Sequence, residues 1–130
     1  MVFNSDLFNE LLVAAENSPR LRINFDLRNS SEDKSQRMLN ALIPGTVIPI
    51  HRHLSSSESV VILSGCVKEI FYNNDGKKTQ EVELRPNGEC VGINIPREQW
   101  HSLHVLEPSV IIEMKDGEYH PLSDDEIMKS

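Results

Sequence analysis

Hydrophobic positions along the first sixteen residues recur at helical spacing. In SDLFNELLVAAE, Leu7, Phe8, Leu11, Leu12 and Ala15 form one apolar stripe, predicting an amphipathic helix over 5–16 capped by Ser5 or Asp6. Asn17, Ser18 and Pro19 should stop it, because proline biases its predecessor away from helical backbone. The period then changes to two. Leu21, Ile23, Phe25 and Leu27 alternate with Arg20, Arg22, Asn24, Asp26 and Arg28, as in a half-buried strand. Residues 29–34 read as a polar turn. Further strands are expected at 36–42, 46–53, 58–63, 66–72, 79–84, 90–95, 100–106 and 109–115. Ser64-Gly65, Asn74-Asp75-Gly76, Pro86-Asn87-Gly88, Pro96 and Pro108 punctuate them. Asp75-Gly76 suits a tight hairpin turn in which both central residues take positive φ. Many short strands at regular spacing predict an all-β sandwich or barrel. A single domain over 1–130 follows, with a helix in 1–17, a barrel in 18–116, and an acidic tail in 117–130 packed loosely outside it.

Composition narrows this picture without changing it. A chain of 130 residues can bury a core without staples. Its 38% hydrophobic and 25% charged content is that of an ordinary soluble domain, and no apolar run has the length of a membrane span. MVFNSDLFNELL carries acids and no basic region, so it does not resemble a signal peptide, and a cytoplasmic location is expected. The net charge of −7 argues against a nucleic-acid partner. Cys66 and Cys90 are too few and too far apart for a zinc ribbon or redox pair, and read as small packing residues.

The candidate chemistry is concentrated in GTVIPIHRHLSSSESVVILSG. His51 and His53 are two apart, so in extended backbone both imidazoles project to one side. Glu58 opens the next β-branched run and can return a carboxylate to the pair, as a ligand or as an acceptor that orients a histidine. His101, after Pro96, supplies a third imidazole, whereas His104 lies three residues on and faces the other way. His120 reads as an exposed turn residue. Three imidazoles and a carboxylate suit a divalent transition metal such as Fe, Zn, Mn or Ni, and leave two octahedral positions open. Metal affinity should fall as pH drops through the histidine range near ~6.5. Arg37, Asn40, Lys115 and Tyr119 are candidates to face a substrate. Arg52, between the two histidines, should point outward. Arg20 and Arg22 read as a solvated edge, and Trp100 as a residue packed between sheets.

The spacing Gly45, five residues, His51-x-His53, four residues, Glu58, six residues, Gly65 resembles the first motif of the cupin superfamily. The second motif is looser: Pro96 and His101 stand in place, while Glu98 replaces the usual Gly and Val105 the usual Asn. The flanks SPRLR, QRMLNALIPGT and EMKDGEYHP are similar to WbuC-type cupin metalloproteins, over residues 18 to roughly 127, with Arg28 near where that pattern has a His. The resemblance implies a double-stranded β-helix (jelly-roll) barrel binding a metal through His51, His53, Glu58 and His101. It also implies a small polar ligand such as a sugar or sugar nucleotide, in O-antigen or polysaccharide biosynthesis. Two classes stay open: a metal-dependent isomerase, epimerase or oxygenase with Glu58 moving protons, and a non-catalytic sensor or accessory cupin. A homodimer is expected, with the amino-terminal helix and the 21–27 strand pairing across a twofold axis.

Overall fold

The computed structural model describes residues 1–129. Helix α1 (Ser5–Glu16) precedes six strands: β1 (Arg22–Asp26), β2 (Ser35–Leu42), β3 (Glu58–Tyr72), β4 (Lys78–Leu84), β5 (Gly92–Ile95) and β6 (Trp100–Asp116). The helix cap lies upstream of both residues expected to supply it: Asn4 is extended, and its Oδ1 accepts from Leu7 N at 3.0 Å. All strand pairs are antiparallel, in the order β1-β2-β6-β3-β4 with β5 also paired to β3.

Alternation along β2 decides what this sheet separates. Leu39 and Ala41 face α1 and pack with Leu11, Ala15 and Val110. Gln36, Met38, Asn40 and Leu42 point the other way, into a cavity of about 280 Å³. A second core of Val60, Ile62, Val67, Leu84, Ile95 and Val105 adjoins that cavity through Leu42 and Ile111, which belong to both. The site is thus a pocket lined by both polar and apolar side chains, set in the interior of a barrel whose outer wall is buttressed by the helix.

Four expected strands prove to be two. Residues 58–63 and 66–72 belong to β3, and 100–106 and 109–115 to β6. Gly65 does not end a strand; with φ +88° it forms part of a bulged bend where the β3–β6 register shifts. Pro108 lies against that bend, where a missing N–H disrupts no ladder bond. The buried Ser109 hydroxyl accepts from Cys66 N at 2.9 Å and donates to Glu107 O at 2.6 Å, closing the corner. Both cysteines are free: Cys66 is buried, and Cys90 is half-buried against the second core.

Three other expectations are corrected. Residues 46–53 form no strand: Pro49 interrupts them, and their ladder-type pairing is limited to isolated bridges of His51 to His101 and Ile127. At the β3–β4 turn only Gly76 takes positive φ (81°), and Asn73 Oδ1 accepts from both Asp75 N and Lys77 N in place of a second left-handed residue. The tail is not loose. Asp124–Glu126 forms a 3-10 turn, Glu126 is 2% exposed, and Met128 N donates to Ile50 O at 2.9 Å.

Candidate metal centre

Extended backbone through residues 50–53 projects both imidazoles inward, and a pair of backbone bonds fixes them against β6. His51 N donates to His101 O at 2.9 Å and His101 N to His51 O at 2.8 Å, so two of the histidines are cross-strand neighbours. Their ring centroids lie 4.2 Å apart. One nitrogen from each of His51, His53 and His101 falls within 4.8 Å of the others. Backbone carbonyls set the ring orientation: the Nδ1 of His51 lies 2.8 Å from Pro49 O and that of His101 2.9 Å from Gln99 O. A carbonyl can only accept, so Nδ1 carries the proton and Nε2 keeps its lone pair for a metal.

Glu58 Oε2 stands 3.1 Å from His53 Nε2 and 3.7 Å from His101 Nε2. All three atoms are buried without a hydrogen-bond partner. Buried polar atoms are ordinarily satisfied, and a set of two imidazole nitrogens and a carboxylate oxygen left open together fits a divalent cation. Burial acts to raise the Glu58 carboxyl, but His101, His53 and then Lys115 hold it below the carboxylate range. His51 is depressed to about 4, by burial first and by neighbouring His101 second. For this residue, proton competition is thereby moved well below the histidine range expected from sequence.

Two further carboxyls face the same cavity, and the sequence reading missed both. Glu69, 3% exposed, leaves Oε2 without a partner, and burial followed by the charges of Glu58 and Glu113 raises it well above the usual range. Glu113 is pushed up to about 8 by burial and then by Glu58. The signal available was placement: Glu69 sits between Val67 and Phe71 on the apolar face of β3, and Glu113 two residues after core Ile111.

Of the expected substrate-facing residues, Asn40, Lys115 and Tyr119 line the cavity. Arg37 does not. It points away, donating to Ser35 O at 2.7 Å and Leu27 O at 2.9 Å, because its even-numbered neighbours own the inner face. Arg22, read as a solvated edge, instead reaches the cavity wall and donates to Thr46 Oγ1 and Val47 O, whereas Arg20 is exposed. Arg28 pairs with Asp26 at 2.8 Å. His104 is exposed across from Lys68. His120 is exposed as expected but stands at the cavity rim, 3.4 Å from Ser55 Oγ. Trp100 is not between sheets; half-buried, it lies under Arg52, whose guanidinium carbon is 4.3 Å from the ring centroid.

Comparison with solved structures identifies the fold. TT1209 from Thermus thermophilus superposes with a TM-score of 0.64 at 18% identity, covering 90% of this chain and 98% of that one. A cupin superfamily protein, DSY2733 from Desulfitobacterium hafniense DCB-2, gives 0.59 at 15% identity over 75% of this chain and 78% of that one. An oxalate decarboxylase of Bacillus subtilis, described with Mn(II) centers, gives 0.54 at 16% identity over 74% of this chain. The match spans only 24% of that longer protein. The cupin jelly-roll expected from the His-x-His motif is therefore the observed fold. No helix among the described residues is long and apolar enough to cross a membrane. No curated protein matches the sequence. A family model matches residues 3–84, and on that match the chain belongs to the family described as a domain of unknown function, DUF6016.

Proposed function

We propose that this protein is a metal-dependent cupin that binds and converts a small polar molecule in the pocket formed by β2, β3 and β6. The observation carrying this reading is the trio of buried, unpartnered atoms, His53 Nε2, His101 Nε2 and Glu58 Oε2, with His51 beside them at a cavity of about 280 Å³. His51, His53 and His101 would hold a divalent transition metal, Fe, Zn, Mn or Ni, and Glu58 would be the fourth ligand. Such an ion supplies a Lewis acid at a ligand oxygen. Asn40, Lys115 and Tyr119 then face the ligand, a sugar or sugar nucleotide by likeness to WbuC-type proteins, and the chemistry would belong to polysaccharide biosynthesis. The buried Glu69 carboxyl favours an enzyme, such as an isomerase or epimerase, over a sensor, because it offers the cavity a group, apart from the candidate ligands, able to hold a proton.

The test is calorimetric titration of sugars and sugar nucleotides into metal-loaded and metal-stripped protein. Binding that requires the metal is expected. Equal binding to both forms, or none to the loaded form, would contradict the reading.

A homodimer belongs to the same proposal. β1 ends the sheet, and Phe3, Val13 and Val47 are exposed apolar side chains. Sedimentation at micromolar concentration should give twice the chain mass of 14.8 kDa; a monomer would remove this part.

A further inference from the structure

The segment carrying His51 and His53 belongs to no sheet, so something else must hold it in place. On one side it is bonded to β6 through His101. On the other it is bonded to the carboxy-terminal segment: Arg52 N donates to Glu126 O at 2.9 Å, and Met128 N to Ile50 O at 2.9 Å. Glu126 adds a second, side-chain link. Its Oε2 accepts from Leu54 N at 2.9 Å, the amide directly after His53. Its Oε1 accepts from Ser123 N at 3.0 Å and Ser123 Oγ at 3.2 Å. The side chain is 2% exposed, a costly place for a carboxylate unless its donors satisfy it, and here two backbone amides and a hydroxyl do. Were packing alone required, an apolar residue would serve better.

We propose that Glu126 is a positioning residue for the metal centre: by clamping Leu54 N, it fixes the backbone that aims His53 and leads to Glu58. It touches no candidate ligand atom, so its effect passes through Leu54. Arg52 reinforces the clamp from outside, donating from Nε to Asp125 O at 3.0 Å while lying over Trp100. This inference rests on the metal-binding reading above.

The experiment uses the full chain. Co²⁺ is titrated into metal-free wild type, Glu126→Leu, Glu126→Gln and Leu11→Ala, following visible absorbance for affinity and recording metal-free melting temperature separately. Leucine keeps much of the volume but removes every acceptor, and glutamine keeps one oxygen for Leu54. Glu126→Leu should weaken Co²⁺ about 10- to 100-fold, the range that losing a ligand-orienting partner costs, and Glu126→Gln should weaken it less. Leu11→Ala, in the helix-facing core, should lower the melting temperature while leaving Co²⁺ affinity unchanged. Wild-type affinity in Glu126→Leu, or a loss in Leu11→Ala as large as in Glu126→Leu, would overturn the proposal. Should Glu126→Leu fail to fold, wild-type affinity in Glu126→Gln would overturn it. A wild type that takes up no Co²⁺ would overturn the metal reading itself, and this inference with it.

Discussion

Replacing His51 and His101 with alanine is expected to abolish stoichiometric metal binding and, with it, the stabilisation that metal gives the wild type. The site closes only on folding, since His51 and His53 arrive on an irregular segment and His101 on β6. An ion that binds the native state but not the unfolded chain adds RT ln(1 + [M]/Kd), about 4 kcal/mol at a thousandfold excess over Kd. For a domain of this size that raises the melting temperature on the order of 10 °C. The double variant should show no metal-dependent rise, whereas His104→Ala, exposed and outside the cavity, should retain it.

Acid provides a second handle on the same prediction. His51 has a folded-state pKa of about 4, below the unfolded value of ~6.5, so the unfolded chain binds more protons between those values. Its contribution to metal-free stability is therefore full above ~6.5 and is lost as pH falls toward 4. His51→Gln should remove that part of the pH dependence. An unchanged stability difference between wild type and His51→Gln from about pH 7 to about pH 4.5 would contradict it.

Gly65→Ala is expected to destabilise the fold by about 3–5 kcal/mol, combining strained backbone with overpacking. A Cβ there would stand 2.3 Å from Pro108 O, 2.4 Å from Ser109 Oγ and 2.8 Å from Ser109 Cα, all on the opposing strand at the bend. Its φ of +88° adds a conformation that alanine resists. Gly117→Ala is the contrast, with φ +87° but nothing within 4 Å of the added carbon, and should cost about 1 kcal/mol. Urea unfolding of the two variants separates these terms. Equal, small losses would show that the corner is not packed as described.

The helix and most strands were legible because their apolar periods are local. So was the His-x-His pair, because extended backbone alone puts both rings on one side. What escaped depends on partners distant in sequence. Gly65 and Pro108 read as strand ends, yet each lies against the other strand at a bulge that lets β3 and β6 run on. The role of the tail was hidden because Glu126 looks like one of three solvated acids until its Leu54 and Ser123 donors are found. Arg37 and Arg22 were misplaced because the alternation of β1 and β2 gives a parity but not which parity faces inward; the helix, by covering Leu39 and Ala41, decides that.

The proposed function requires one divalent metal among His51, His53 and His101. Elemental analysis after gel filtration in chelator-free buffer tests it most directly, comparing wild type with the His51→Ala, His101→Ala double variant. About one equivalent of a transition metal per wild-type chain and none in the variant is the predicted result; equal metal content in the two proteins would contradict it.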